Sequence, residues 1–189
     1  MGQVKKVIQS GTNKTFWIES PLSPSLKIDQ SIAHDGVCLT VEEVQENSHR
    51  VTAILETLQK TNLHTWSEGK QVNLEQCLLP GSRLDGHFVQ GHVDTAGICE
   101  RLKNKNGSYE LTFSFPKKFA ALVIEKGSIC INSISLTLFG VKKSSFKVAI
   151  IPYTWEHTNL KFLKEGDAIN LEFDMIGKYI QRMKQIKND

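Results

Sequence analysis

The chain has 189 residues, with 23 basic against 20 acidic side chains and a formal net charge of +3. That mild balance argues against nucleic acid as a partner. No apolar run is long enough to span a bilayer, and the opening residues do not read as a signal peptide. The hydrophobic fraction of 40% is that of an ordinary soluble globular protein. Cysteines at 38, 77, 99 and 130 show no C-x-x-C spacing. They are expected to be buried free thiols in a reducing cytoplasm, with no metal site and no cofactor.

Taken in chain order, a weak short helix is expected before Ser31. Strands follow at 38–41, 50–55 and 71–75, and the breaker run Leu79-Pro80-Gly81-Ser82 reads as a linker. A strand at 109–113, a short helix near 117–125, and strands at 135–139 and 146–151 come next. Short strands at this spacing predict a sandwich or barrel. The chain also contains one stretch twice. Residues 31–75 moved by 97 positions fall without a gap on residues 128–172, and 17 of the 45 pairs are identical. Among them are Thr61-Asn62-Leu63 with Thr158-Asn159-Leu160, and Asn73-Leu74-Glu75 with Asn170-Leu171-Glu172. This period is too long for a solenoid repeat, which runs to roughly 20–50 residues. It predicts two copies of one small domain, 1–79 and 80–173, each with a marginal core that leans on its neighbour.

Residues 174–189 differ in kind. Ile176, Tyr179, Met183 and Ile186 recur at heptad a and d spacing, while Lys178, Arg182, Lys184 and Lys187 fall off that seam. The stripe fits packing on the chain's own barrel or on copies of itself.

Differences between the copies point to chemistry. Cys38-Leu39-Thr40 in the first stands where the second has Ser135-Leu136-Thr137. In a strand, residues two apart share a face, so each copy offers a nucleophilic or proton-relaying group beside a threonine. Glu56 and Tyr153 are likewise equivalent. Between the repeats, Gly86-His87-Phe88-Val89-Gln90-Gly91-His92-Val93-Asp94 places glycines where backbone approaches something closely. His34, His49, His64 and His157 show no ligand spacing and read as surface residues, and His87 as a shaper of its turn.

At these residues the chain resembles the riboflavin synthase family. The motifs are residues 31–41, 86–94, 126–137 and 151–156, closing with Phe173-Asp174-Met175-Ile176-Gly177-Lys178-Tyr179. The resemblance covers essentially the whole chain. It implies an all-β protein of two tandem six-stranded Greek-key barrels and a C-terminal helix that gathers three chains. It also implies dismutation of two molecules of 6,7-dimethyl-8-ribityllumazine, without metal or redox cofactor, and association with lumazine synthase. A four-carbon unit passes from one lumazine to the other, giving riboflavin and 5-amino-6-ribitylamino-2,4(1H,3H)-pyrimidinedione. Carried over by position, Cys38, Leu39, Thr40, Thr52, Ala53, Ile54, Leu55, Glu56 and Thr57 would cradle the first lumazine. Gly91, His92, Val93, Lys126, Ser135, Leu136, Thr137, Ile151, Pro152, Tyr153, Thr154, Trp155 and Glu156 would cradle the second. His92 is the leading acid/base candidate, Ser135 and Thr137 are hydroxyls for relay or addition, and Cys38 is a pocket thiol that matters for rate. A non-catalytic lumazine- or flavin-binding protein of the same fold is the alternative.

Two features depart from the family pattern. Gly2-Gln3-Val4 aligns with Gly97-Ile98-Cys99, leaving residues 87–95 unmatched in the first copy. The first barrel is therefore expected to lack a strand and to bind lumazine less well than the second. Asn132-Ser133 stands where Asp-Gly is usual, and the serine is expected to tighten the turn or narrow the pocket floor.

Overall fold

The computed structural model describes residues 1–188. In the second copy six strands close into a barrel: β9 (Thr95–Asn104), β10 (Tyr109–Ser114), β11 (Ser128–Ile131), β12 (Ile134–Phe139), β13 (Ser145–Ile150) and β14 (Ala168–Phe173). Their order around the barrel is β10-β13-β12-β11-β14-β9. The first copy uses β1 (Gly2–Ser10), β2 (Asn13–Glu19), β3 (Ser31–His34), β4 (Val37–Thr40), β5 (Glu43–Val44), β6 (Ser48–Ala53), β7 (Gln71–Val72) and β8 (Leu74–Gln76). These form a five-stranded sheet, β5-β6-β2-β1-β7, and a three-stranded one, β4-β3-β8. The path is that of the second barrel, with the counterparts of β12 and β14 each broken once. Ser31 faces Thr40 as Ser128 faces Thr137, and Ala33 faces Glu75 as Cys130 faces Glu172.

The first copy does have its opening strand. Gly2 pairs with Val72 as Gly97 pairs with Ile169, Val72 and Ile169 being equivalent under the repeat and Gly2 standing 95 positions before Gly97. The expected loss of a barrel strand is corrected accordingly.

Alternation along the strands builds the cores. Phe16, Ile18, Ile32 and Val51 are fully buried in the first, and Leu111, Phe113, Ile129 and Phe146 in the second. Burying each such side chain contributes roughly 1.5–3 kcal/mol. His34 and His49 also point inward and are fully buried, contrary to their expected surface placement. His34 alternates in phase with Ile32, so its strand carries it to the core side.

The expected helices near 117–125 and before Ser31 are 3-10 turns, Lys117–Leu122 and Ser23–Ser25. The α-helices lie elsewhere: α1 (Leu55–Lys60), α2 (Pro152–His157) and α3 (Met175–Asn188). α1 and α2 are equivalent under the repeat. All four cysteines are free. Cys99 and Cys130 are buried, Cys38 is half-buried and Cys77 is exposed, so burial of all four is not observed. None of the described helices is long and apolar enough to cross a membrane.

The barrels meet across a pseudo-twofold relation built from the repeated asparagines. The Asn62 N–H donates to Asn170 Oδ1 at 2.7 Å, and the Asn159 N–H donates to Asn73 Oδ1 at 2.8 Å. Asn73 Nδ2 donates to the Asn132 carbonyl at 2.7 Å, and Asn170 Nδ2 to the Asp35 carbonyl at 2.8 Å. These side chains are buried, and an amide left unpaired there costs about 1–3 kcal/mol. The hairpin turns at Asp35-Gly36 and Asn132-Ser133 have positive φ at both central residues, as type I′ turns require. Ser133 Oγ accepts the Gly36 N–H at 2.6 Å, so the serine ties the two turns together.

Candidate functional site

The segment between the barrels, 86–94, is a strap that touches equivalent residues in both. At one end Gly91 has φ +78°, and its carbonyl accepts the Cys38 N–H at 2.8 Å. A Cβ there would lie 2.9 Å from Cys38 Cβ, so only glycine fits. At the other end Gly86 has φ +126°, and a Cβ would lie 2.7 Å from Ser135 Oγ. The glycines thus let backbone approach Cys38 and Ser135, the pair at which the copies differ.

Two clefts result. One, of about 320 Å³, is lined by Val37, Cys38, Glu56, Thr57, Lys60, Thr61, Gly91, His92 and Val93. The other, of about 430 Å³, has both Cys38 and Ser135 in its wall, with Glu75, Leu84, Asp85, His87, Val89, Gln90, Ser133 and Thr158 among its neighbours. Ser135 Oγ and His87 Nδ1 are 2.7 Å apart in that second cleft, and burial pulls the His87 imidazole below the usual histidine range. His87 therefore engages the Ser135 hydroxyl.

Cys38, Glu56, Thr57, Gly91, His92 and Val93 come together around the first cleft. The sequence grouping put Gly91, His92 and Val93 with the second copy; in the structure they form a wall of the first. Ser135 meets the other end of the strap, Gly86 and His87. Thr52 is beside Thr15, with their hydroxyls 2.8 Å apart, and Leu39 and Ala53 lie in the core. Thr40, Ile54 and Leu55 are exposed away from the cleft.

On the second copy, Leu136 and Thr154 are half-buried. Trp155 stacks on Tyr109 with ring centroids 4.0 Å apart. Lys126, Thr137, Ile151, Pro152, Tyr153 and Glu156 are exposed and line neither cleft. Val37, Lys60 and Thr61 were not anticipated in the first cleft. Lys60 pairs with Glu56 at 2.6 Å, four residues apart, a spacing visible in the sequence. Hydrogen bonding to Lys60 and its charge draw Glu56 below the usual carboxylate range.

The chain is thus a duplicated β-barrel protein with two clefts along the strap between its copies. The family model for the lumazine binding domain matches residues 1–77 and 90–174, once per barrel. The riboflavin synthase of Bacillus subtilis is 31% identical over 189 residues, all of this chain and 88% of that protein. That of Actinobacillus pleuropneumoniae is 38% identical over 183 residues, 96% and 85% of the two chains. That of Mycobacterium tuberculosis is 40% identical over 158 residues, 81% and 78%. The fold is also that of LumP in its crystal structure with riboflavin, with a TM-score of 0.86 at 19% identity over 91% of this chain and 94% of that one. The chain belongs to the riboflavin synthase family of lumazine-binding proteins.

Proposed function

We propose that the chain is a riboflavin synthase, converting two 6,7-dimethyl-8-ribityllumazine molecules to riboflavin and 5-amino-6-ribitylamino-2,4(1H,3H)-pyrimidinedione. The observation that carries this is the pair of repeated barrels whose equivalent positions hold Cys38 and Ser135, with His92 beside only the first. Equal substrates need similar pockets, and a donor and an acceptor need unlike ones. The C7-methyl proton of a lumazine is acidic because its anion delocalises into the ring, so a positioned base suffices to remove it. His92 is exposed at the mouth of the first cleft and serves as acid/base. Ser135, partnered by His87, and Thr137 supply hydroxyls for relay or addition at C7, and Cys38 contacts the ring. Juxtaposing the two substrates supplies a further large share of the rate.

The productive site lies between the first barrel of one subunit and the second barrel of the next. Support comes from Ile151, Tyr153 and Thr137, which are exposed on the second barrel and line neither of the two clefts described. The helix α3 assembles three chains: Ile176, Tyr179, Met183 and Ile186 are 60%, 66%, 61% and 59% exposed, a stripe unlike the usual solvated helix face. Free cysteines, one of them in the site, fit the reducing cytoplasm, where association with lumazine synthase would supply substrate.

A second reading is binding without turnover, favoured by the closeness of the LumP fold. Incubation with the lumazine alone separates them. Riboflavin forming at half the molar amount of lumazine consumed supports the enzyme; tight binding with no riboflavin overturns it.

A further inference from the structure

The strap is held from behind by a carboxylate that belongs to neither cleft. Glu172, on β14, is only 2% exposed. Its Oε1 accepts the Gln90 N–H at 2.7 Å, and its Oε2 accepts the Gly91 and His92 N–H groups at 2.9 and 3.0 Å. No lysine, arginine or histidine forms a salt bridge with it among the described residues, so three consecutive peptide dipoles face its charge. Two residues on, the strap is fastened again. The Asp94 N–H donates to the Leu171 carbonyl at 2.9 Å, the Phe173 N–H donates to Asp94 Oδ2 at 2.9 Å, and Lys178 on α3 pairs with Asp94 at 2.6 Å.

We propose that Glu172 is a positioning residue: from the second barrel it fixes the backbone of Gln90–Gly91–His92, and so sets His92 and the Gly91 carbonyl against Cys38 in the first cleft. The repeat supplies an internal control. Glu75 occupies the same place in the first copy, with the same strand pairing, yet is exposed and makes no side-chain hydrogen bond among the described residues. The pairing of Glu75 with Ala33 thus forms without such a clamp, and the role of Glu172 lies in what it holds. Charge-assisted bonds to three successive amides also fix direction, which a single bond does not. The inference rests on the first cleft being a lumazine site.

Glu172→Gln in the full chain tests it. Glutamine keeps the shape but turns an NH2 group toward at least one of the backbone N–H groups. The expected result is amide hydrogen exchange at residues 90–92 faster by tenfold or more, with β9 to β13 unchanged. Cys38 should alkylate faster with iodoacetamide. kcat should fall at least tenfold, with less than a threefold change in KM. Should Glu172→Gln not fold, Glu172→Asp, which keeps the charge and shortens the reach, is expected to show the same changes in smaller measure. Unchanged exchange at 90–92, or loosened exchange with wild-type turnover, overturns the proposal. If the wild-type chain binds lumazine but makes no riboflavin, the enzyme reading alone has failed. Lumazine affinity then decides: a tenfold loss in Glu172→Gln supports the positioning role, and equal affinity overturns it.

Discussion

Asp35 and Asn132 stand at equivalent turns on the two sides of the barrel interface, and each side chain accepts a repeated asparagine's backbone N–H at 2.8 Å: Asn73 for Asp35, Asn170 for Asn132. Where one is an amide the other is an acid. Asp35 Oδ1 also accepts Asn159 Nδ2 at 2.8 Å, while Oδ2 is buried with no hydrogen-bond partner.

Burial pushes the Asp35 carboxyl up to about 7. The folded chain therefore keeps a proton that the unfolded chain releases near pH 4. The stability this contributes is complete below about pH 4 and lost as pH rises through about 7. Asp35→Asn is expected to remove that slope and to raise stability at pH 8 by on the order of 1 kcal/mol, roughly 4–8 °C in Tm for a domain of this size. Thermal melts of both proteins from pH 4 to 8 check it; parallel curves would refute it.

His34 and His49 carry the opposite dependence. Their Nε2 atoms are 2.8 Å apart, His49 Nδ1 is 2.8 Å from Ser23 Oγ, and His34 Nδ1 is 3.1 Å from the Ile32 carbonyl. That carbonyl requires a proton on His34 Nδ1, so His49 Nε2–H donates to His34 and the Ser23 hydroxyl to His49. Both rings are neutral, and burial lowers them to about 3 and about 4. The unfolded chain takes up protons below about pH 6.5 that the folded chain refuses. Stability is thus full above pH 6.5 and declines as pH falls toward 4. His34→Ile with His49→Phe, the residues of the second copy, should flatten this decline. An acid-unfolding midpoint unchanged in the double variant would count against it.

In the site, His92→Ala and Ser135→Ala are expected to lower kcat more than they weaken lumazine binding, because groups acting in the transition state affect kcat preferentially. A loss of about 100-fold or more is the scale of a general acid–base group. Cys38→Ser should be milder, since serine already stands at the equivalent position. Steady-state kinetics beside fluorescence titration of lumazine separates the two effects; near-wild-type turnover in His92→Ala would remove it as the acid/base.

Assembly is tested by ending the chain after Phe173. This deletes the exposed stripe of α3 and the Lys178 tie to Asp94. Monomers with little activity are expected by light scattering and riboflavin production. A fully active monomer would show that one chain holds a complete site.

The duplication, the β-rich character of both copies and the final helix were legible in the sequence, because each is a local pattern: a repeat, an alternation, a heptad. Cys38 and Ser135 were legible for the same reason, as one position read twice. His34 was legible in principle from its phase with Ile32, but a histidine among apolar neighbours gains its burial only when His49 and Ser23, distant in sequence, supply partners. The tertiary structure alone decided that Gly91-His92-Val93 lies against the first barrel. Chain order places that segment beside the second copy, and no local pattern reveals that Glu172 and Cys38, 134 positions apart (172 − 38), hold it from opposite sides. Periodicity reports which way a side chain points within its element. Which backbone amides meet a buried carboxylate depends on how the two copies pack, and that is settled only in three dimensions.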